Sequence, residues 1–346
     1  MNERQPVHFS HHLCVQDSSN VGEARRLVTA LCRGLGFAET RTAEAAIVVT
    51  ELATNLVKHT GGAGGDMVLR PMAVAGADGL EILCWDKGPG IVNIAESLRD
   101  GYSTAGSPGT GLGAIRRLSP EFDLYAAPGQ GVAVLSRLWS NPPLETLPAL
   151  TVGAVCLPVH GEQACGDAWA MKQRQNTTLL MLADGLGHGP DAAAAANLAV
   201  AIFEKQERRS PAELLELIHA ALRTTRGAAV AVAEVALGQR CVRFAGVGNI
   251  SGLILTGETS RNMVSHNGTA GVNVPKIQEF TYPWPEDGLL VLHSDGLATH
   301  WNLDDYPGLR GRNPALIAGV LFRDHKRLRD DSTVLVAKAA TQRGRL

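Results

Sequence analysis

The chain has 346 residues, 45% of them hydrophobic and 19% charged, enough for about two domains that each bury a core. Its formal net charge is -2, and no basic run of the kind that neutralises a phosphate backbone occurs, which argues against a nucleic-acid partner. The most apolar helical stretch, AAIVVTELATNLV, is interrupted by Glu51 and Asn55 well short of a membrane span, and MNERQPVHFSHH lacks the apolar centre of a signal peptide, so a soluble, cytoplasmic protein is expected, without a membrane partner.

In chain order, residues 7–16 have strand character, and GEARRLVTALCRGLG reads as an amphipathic helix stopped by Gly34 and Gly36. A second helix is predicted from Thr42 to about His59. The cluster Gly61, Gly62, Gly64 and Gly65 breaks it, and strands Met67 to Ala75 and Leu80 to Trp85 form a hairpin. Gly88 to Gly113 contains seven glycines and little apolar pattern, the mark of a functional loop. A short helix, Leu112 to Leu118, and a hairpin ending at Trp139 close this part. His8, His11 and His12 read as a loosely ordered terminal surface feature.

SNPPLETLP, with Pro142, Pro143 and Pro148, is a stiff polar connector. The expected partition is therefore 1–140, a linker at 141–149, and 150–346. After the linker, strands dominate from Leu150 to Ala183, helices follow over Asp191 to Arg208 and Pro211 to Thr224, and strands return from Ala228 to Thr256. A helix near Pro314 to Phe322 precedes a last strand from Thr333 to Ala337. Six cysteines are scattered without a CxxC pair, as reduced thiols in a cytosol would be.

The chemistry concentrates at strand ends. In TTLLMLADGLGHGPD an apolar strand stops at Asp184, in LLVLHSDGL another stops before Asp295, and in RDDSTVLVA Asp330 and Asp331 stand just before a third. A single Asp-Gly pair would be read as a turn. Recurring beside apolar strands, such acids can meet at one sheet edge, where crowded carboxylates stay ionised only when divalent cations hold them. A metal-dependent hydrolytic site follows, and hard oxygen ligands favour Mg2+ or Mn2+ over zinc.

In the first part, Glu51, Asn55 and His59 fall at i, i+4 and i+8, on one face of a mainly apolar helix. WDKGPGI then puts Asp86 after a strand, with Gly88 and Gly90 permitting close backbone approach. GYSTAGSPGTGLGAIRRL leads through Gly109, Thr110, Gly111, Leu112 and Gly113 into a helix N-terminus, a favourable place for phosphate.

The order ELATNLVKH, DKGPGI, GTGLGAIRRL resembles the N, G1 and G2 boxes of the Bergerat-type ATPase fold shared by histidine kinases, gyrase and Hsp90 relatives. More narrowly, GYST with GTGLGAIRRL looks like the anti-sigma-factor serine kinases of the RsbT and RsbW type, over roughly Val7 to Trp139. The resemblance implies ATP with Mg2+ as cofactor. It makes Asn55 the Mg2+ ligand and Glu51 the residue that orients or deprotonates an acceptor hydroxyl. Asp86 becomes the acceptor for the adenine amino group, with Gly88, Gly90, Gly109, Gly111 and Gly113 giving backbone access. Val132 departs from the family's GxGT pattern. A histidine kinase would need a phosphoacceptor helical hairpin ahead of this domain.

GEQACGDAW, ADGLGHGPDAAAAA, AGVGNISG, HSDGLATHW and RDDSTVLVA, in that order, resemble the SpoIIE and RsbX type of metal-dependent serine/threonine phosphatase, from Leu150 to Lys338. On that resemblance Asp184, Asp295 and Asp330 hold one ion, and Asp167, Asp184 and the Gly185 carbonyl hold a second. Asp184 and Asp295 carry catalysis by a pair of Mn2+ or Mg2+ ions that activate a bridging water. Asp331 takes a supporting or structural duty, His188 either contacts phosphate or caps the next helix, and Gly246, Gly248 and Asn249 read as a tight structural turn near the site but outside the catalytic set.

The expected class is α+β: a Bergerat-type α/β sandwich with a mixed sheet covered by helices, then an α-β-β-α sandwich of the metal-dependent phosphatase type. The resemblances imply a bifunctional switch acting on a phosphoprotein, a STAS-domain antagonist, within sigma-factor or stress signalling. The alternative is a phosphatase whose first domain only senses ATP or ADP, or binds a regulator.

Overall fold

A computed structural model describes residues 10–74, 76–98, 111–143, 149–174, 176–257 and 259–340. The chain divides into two compact units, Met1–Thr146 with Asn302–Arg323, and Leu147–Trp301 with Asp324–Leu346. Among the described residues no helix is long and apolar enough to cross a membrane.

The first unit runs β1 (His11–Val15), α1 (Ser18–Gly34), α2 (Glu39–Lys58), β2 (Gly65–Val74), β3 (Ala77–Asp86), α3 (Ile94–Ser97), α4 (Gly111–Leu118), β4 (Glu121–Ala126) and β5 (Val132–Trp139). Asp17 starts α1 by accepting from Ser19 N at 2.7 Å, and Asn20 returns a bond to the Asp17 backbone, a reciprocal cap that fixes where the helix begins. The strands pair in the order β1-β2-β3-β5-β4. Every pairing is antiparallel, which corrects the expected mixed sheet: two helices, not one, join β1 to β2, and β2 to β3 and β4 to β5 are direct reversals. Period-2 alternation sends Leu80, Ile82 and Cys84 into a core shared with Val28, Val48, Leu52 and Ile115 of the helices. His11 and His12 are not loose. They begin β1, and His12 Nε2 lies 2.7 Å from Asp66 Oδ1; His8 lies outside the described residues.

The second part of the sequence continues with β6 (Leu150–Leu157), β7 (Asp167–Gln173), β8 (Thr178–Gly185), α5 (Pro190–Lys205), α6 (Pro211–Ala221), β9 (Ala228–Ala236), β10 (Cys241–Val247), β11 (Ser251–Leu255), β12 (Ser260–Met263), β13 (Phe280–Pro283), β14 (Leu289–His293), α7 (Pro314–His325) and β15 (Ser332–Ala339). Two antiparallel sheets form, ordered β13-β10-β9-β8-β7 and β12-β11-β14-β15-β6. Strand β8 explains the layering: Leu179, Met181 and Ala183 face a core shared with α5 and α6, whereas Leu180 and Leu182 face the core between the sheets. Its unbroken apolar run is what burial on both faces requires.

Helix α7 breaks the sequential partition, because Asn302–Arg323 belongs to the first unit. Its residues Pro314 to Arg323 are buried on every side, as expected of the all-round apolar stretch PALIAGVLF. It covers the face of the first sheet opposite α1 and α2. The Phe322 ring stands 5.6 Å from that of Trp85, Gly319 lies against Leu83 and Trp85, and Asn313 N donates to Asp123 Oδ2 at 2.7 Å. Burying Trp85 and Phe322 contributes about 2 to 3 kcal/mol each.

Candidate functional site

In the first unit, α2 carries Glu51 and Asn55, both half-buried, beside its buried Val48 and Leu52. His59 terminates the helix, its N donating to Asn55 O at 2.9 Å. Asp86 ends β3, and its Oδ1 accepts from Gly88 N at 2.7 Å and Val132 N at 3.3 Å. Gly88 in turn packs on the end of α2, where an added Cβ would stand 3.1 Å from Thr60 Cα. Val132 thus supplies a backbone N–H to this pocket although it has no hydroxyl. Burial is the main influence on Asp86 and raises its carboxyl, opposed by those two N–H groups, Arg323 and His59. Gly111 opens α4, in which Gly113 is buried, and Leu112 packs on the helical core. Gly109, Thr110 and the GYST stretch lie outside the described residues.

This set suits an adenine nucleotide. A buried carboxylate at a strand end can accept from an exocyclic amino group, and an amide and a carboxylate stand one turn apart on the adjoining helix.

In the second unit, Asp184, Asp295 and Asp330 line one cavity of about 420 Å³, with Asn249, Asn267 and Thr269 beside them. Three chain segments deliver the acids. Asp184 lies directly across the β7–β8 pair from Asp167, Asp295 follows β14, and Asp330 precedes β15. The Asp-Gly pair at 295–296 is a close approach rather than a simple turn: a Cβ on Gly296 would fall 1.8 Å from Asp331 O, so only glycine lets these two loops meet.

Asp167, Asp295 and Asp331 are each held by neutral donors. Ser294 Oγ donates to Asp167 Oδ2 at 2.6 Å and itself accepts from Thr333 N at 2.9 Å. Asn249 Nδ2 donates to Asp295 Oδ2 at 2.6 Å. Asp331 accepts from Val159 N and Gly166 N, both at 2.8 Å, which ties down the loop leading into β7. Glu162 Oε1 lies 3.1 Å from His188 Nδ1. Helix α5 starts at Gly189 without a side-chain cap, so His188 does not serve as its cap.

Burial, followed by the charges of Asp167, Asp295, Asp330 and Asp331, pushes Asp184 up to about 9. Burial also dominates at Asp167, lifting it to about 7 against the bonds from Ser294 and Thr333. Asp295 is raised too, by burial and then by Asp330. Among the described residues no three His, Cys, Asp or Glu side chains already close on one point as a ligand set. The donor chemistry nevertheless fits hard divalent cations, since the acids are all oxygen donors and burial makes Asp167, Asp184 and Asp295 resist ionising.

The comparisons match the two parts of the sequence separately. The family described as Histidine kinase-like ATPase domain matches residues 14–136, and that described as Stage II sporulation protein E (SpoIIE) matches residues 174–340. Serine/threonine-protein kinase RsbT of Bacillus subtilis (strain 168) is 34% identical over 116 residues, 34% of this chain and 86% of that protein. The chain belongs to the RsbT family in its N-terminal part, and its C-terminal part matches the SpoIIE family model. The SpoIIE-family part is also similar to Phosphoserine phosphatase RsbX of the same organism, 24% identical over 140 residues, 40% of this chain and 70% of that protein. A solved structure titled "The bacterial stressosome: a modular system that has been adapted to control secondary messenger signaling" is 31% identical with a TM-score of 0.52, covering 55% of this chain and 99% of its own. The C-terminal part is thus a SpoIIE-like region similar to a protein named as a phosphoserine phosphatase, and the N-terminal part is an RsbT-like kinase or ATPase domain.

Two residues at these sites escaped the sequence reading. Asn249, expected only in a structural turn near the site, bonds Asp295 directly; its local signature, Gly-Val-Gly-Asn, is also that of a turn. Arg323 reaches the Asp86 backbone, and the signal for it was an arginine inside an otherwise apolar helix, which needs a partner when buried.

Proposed function

We propose that this chain is a two-way switch: its RsbT-family domain phosphorylates a serine or threonine of a STAS-type antagonist protein, and its SpoIIE-family domain removes that phosphate. The observation that carries the reading is the union, in one chain, of parts similar to a protein named as a kinase and to one named as a phosphoserine phosphatase. The stressosome title of the similar structure supports a partner in stress or sigma-factor signalling.

In the kinase direction Asp86 selects adenine, Asn55 holds Mg2+, and Glu51 accepts the proton of the attacking hydroxyl, while Gly88, Gly90, Gly109, Thr110, Gly111, Leu112 and Gly113 admit the nucleotide. Phosphoryl transfer needs chiefly positioning and charge neutralisation. In the phosphatase direction Asp184, Asp295 and Asp330, with Asp167 and the Gly185 carbonyl, hold Mn2+ or Mg2+. When bound, such ions supply an activated water and neutralise phosphoryl charge. Asn249 fixes the orientation of Asp295, and Ser294 that of Asp167.

Val132, which offers the pocket only a backbone N–H, favours a second reading in which the first domain senses ATP or ADP without transferring phosphate. Incubation of the full chain with a STAS-domain protein, ATP and Mg2+, then with Mn2+, decides between them when phosphoserine is followed. The switch predicts phosphate that appears and then disappears on the same protein, with appearance lost in Glu51→Ala while ATP still binds. Absence of transfer by the parent chain would favour the sensor, and different substrates for the two activities would overturn the switch.

A further inference from the structure

Asp86, which on the reading above recognises adenine, is gripped from behind by a residue 237 positions later in the sequence. Arg323 Nη1 donates to the Asp86 carbonyl oxygen at 3.0 Å, and Arg323 is only 3% exposed. The bond passes over Gly131. That residue has φ +70°, and a Cβ there would stand 2.1 Å from Asp86 O and 3.0 Å from Arg323 Nη1, so glycine is required both by the backbone conformation and by the contact. Gly131 N also bonds Gly88 O at 3.1 Å, and the next residue, Val132, donates to the Asp86 carboxylate. One guanidinium therefore sits on the junction of β3, the Gly88 loop and the turn into β5, the three pieces that aim the Asp86 side chain. Phe322 on Trp85 and Asn313 on Asp123 hold the helix that presents it.

We infer that Arg323 is a positioning residue for nucleotide recognition, and that the nucleotide pocket of this chain is completed by the 302–323 excursion, a stretch that lies within the sequence matched to the SpoIIE family. The inference rests on the assignment of Asp86 to adenine. A charged donor buried against a carbonyl is among the stronger hydrogen bonds. Loss of this one frees the end of β3 to shift and misaligns the carboxylate without removing any group that meets the triphosphate.

The test compares ATP with GTP binding to the full chain in Mg2+, by titration calorimetry, for the parent, Arg323→Met and Gly131→Ala. The parent is expected to prefer ATP. Arg323→Met is expected to bind ATP about tenfold more weakly while GTP, held by its phosphates, changes little, so that the preference collapses. Gly131→Ala forces the same contact apart from the other side and is expected to lose the preference in the same way; it decides the matter alone if the arginine variant fails to fold. Arg323→Lys, which keeps a charged donor, is expected to restore most of the preference. An unchanged ATP-to-GTP ratio in both disruptive variants overturns the inference, as does an equal loss for both nucleotides, which marks a merely structural role. A parent chain that binds neither nucleotide instead removes the Asp86 assignment itself.

Discussion

Asp167 and Asp184 face each other across one strand pair, and their environment makes both reluctant anions. Their carboxyls rise from 3.8 to about 7 and about 9, so the folded cation-free chain binds protons that the unfolded chain has released. The sign follows directly: their contribution to stability is fully present below about pH 4 and is lost as pH rises toward 9. Divalent cations compete with those protons, so the melting temperature is expected to gain more from Mn2+ at pH 8 than at pH 6. Thermal unfolding with and without Mn2+ at the two pH values checks this, and an equal gain at both would contradict it. Asp184, Asp295 and Asp330 were legible in the sequence because each stands at the end of an apolar strand. Asn249 was not, since a polar residue after Gly-x-Gly looks the same whether it closes a turn or orients a carboxylate.

Among elements, the central strands of the first sheet show how a buried charge is tolerated. Glu81 of β3 lies opposite Arg70 of β2 and Arg137 of β5 and bonds to both. Burial acts to raise its carboxyl, but the two arginines together hold it below the ordinary value. Its stabilisation is therefore present at neutral pH and lost as pH falls through the lowered folded value. Replacing it by Gln leaves two arginines short of their counter-charge, and Glu81→Gln is expected to destabilise the first unit by about 3 kcal/mol or more, measured as a lower midpoint in urea. A variant as stable as the parent would show that the row contributes little.

The helices and most strands could be read from periodicity, because each has a dominant apolar stripe or alternation. Strands β12 and β13 could not: each is only four residues long and on a sheet edge, too short for the inward Met263 or Tyr282 to set a recognisable alternation. Helix α7 was predicted as a helix, but not as part of the first unit. Its uniform apolarity announces burial without saying against what, and that answer depends on Leu83 and Trp85, more than two hundred residues earlier.

At the scale of the molecule, the chain joins an RsbT-like part to a SpoIIE-like part, and its sequence-order division into halves is crossed by one excursion. The excursion means that residues 1–146 alone lack the cover over Leu83 and Trp85. The two resemblances were legible because their motifs are local and ordered; the identity of a protein substrate is written in surfaces of another protein. The account depends first on the carboxylate centre. The most direct measurement is release of inorganic phosphate from a phosphoserine protein by the full chain in Mn2+, with and without chelator, for the parent and Asp184→Asn. The account predicts cation-dependent release by the parent, abolished by chelator, and a rate at background in Asp184→Asn with its melting temperature retained. Release by the variant at the parent's rate, or release indifferent to chelation, would contradict it.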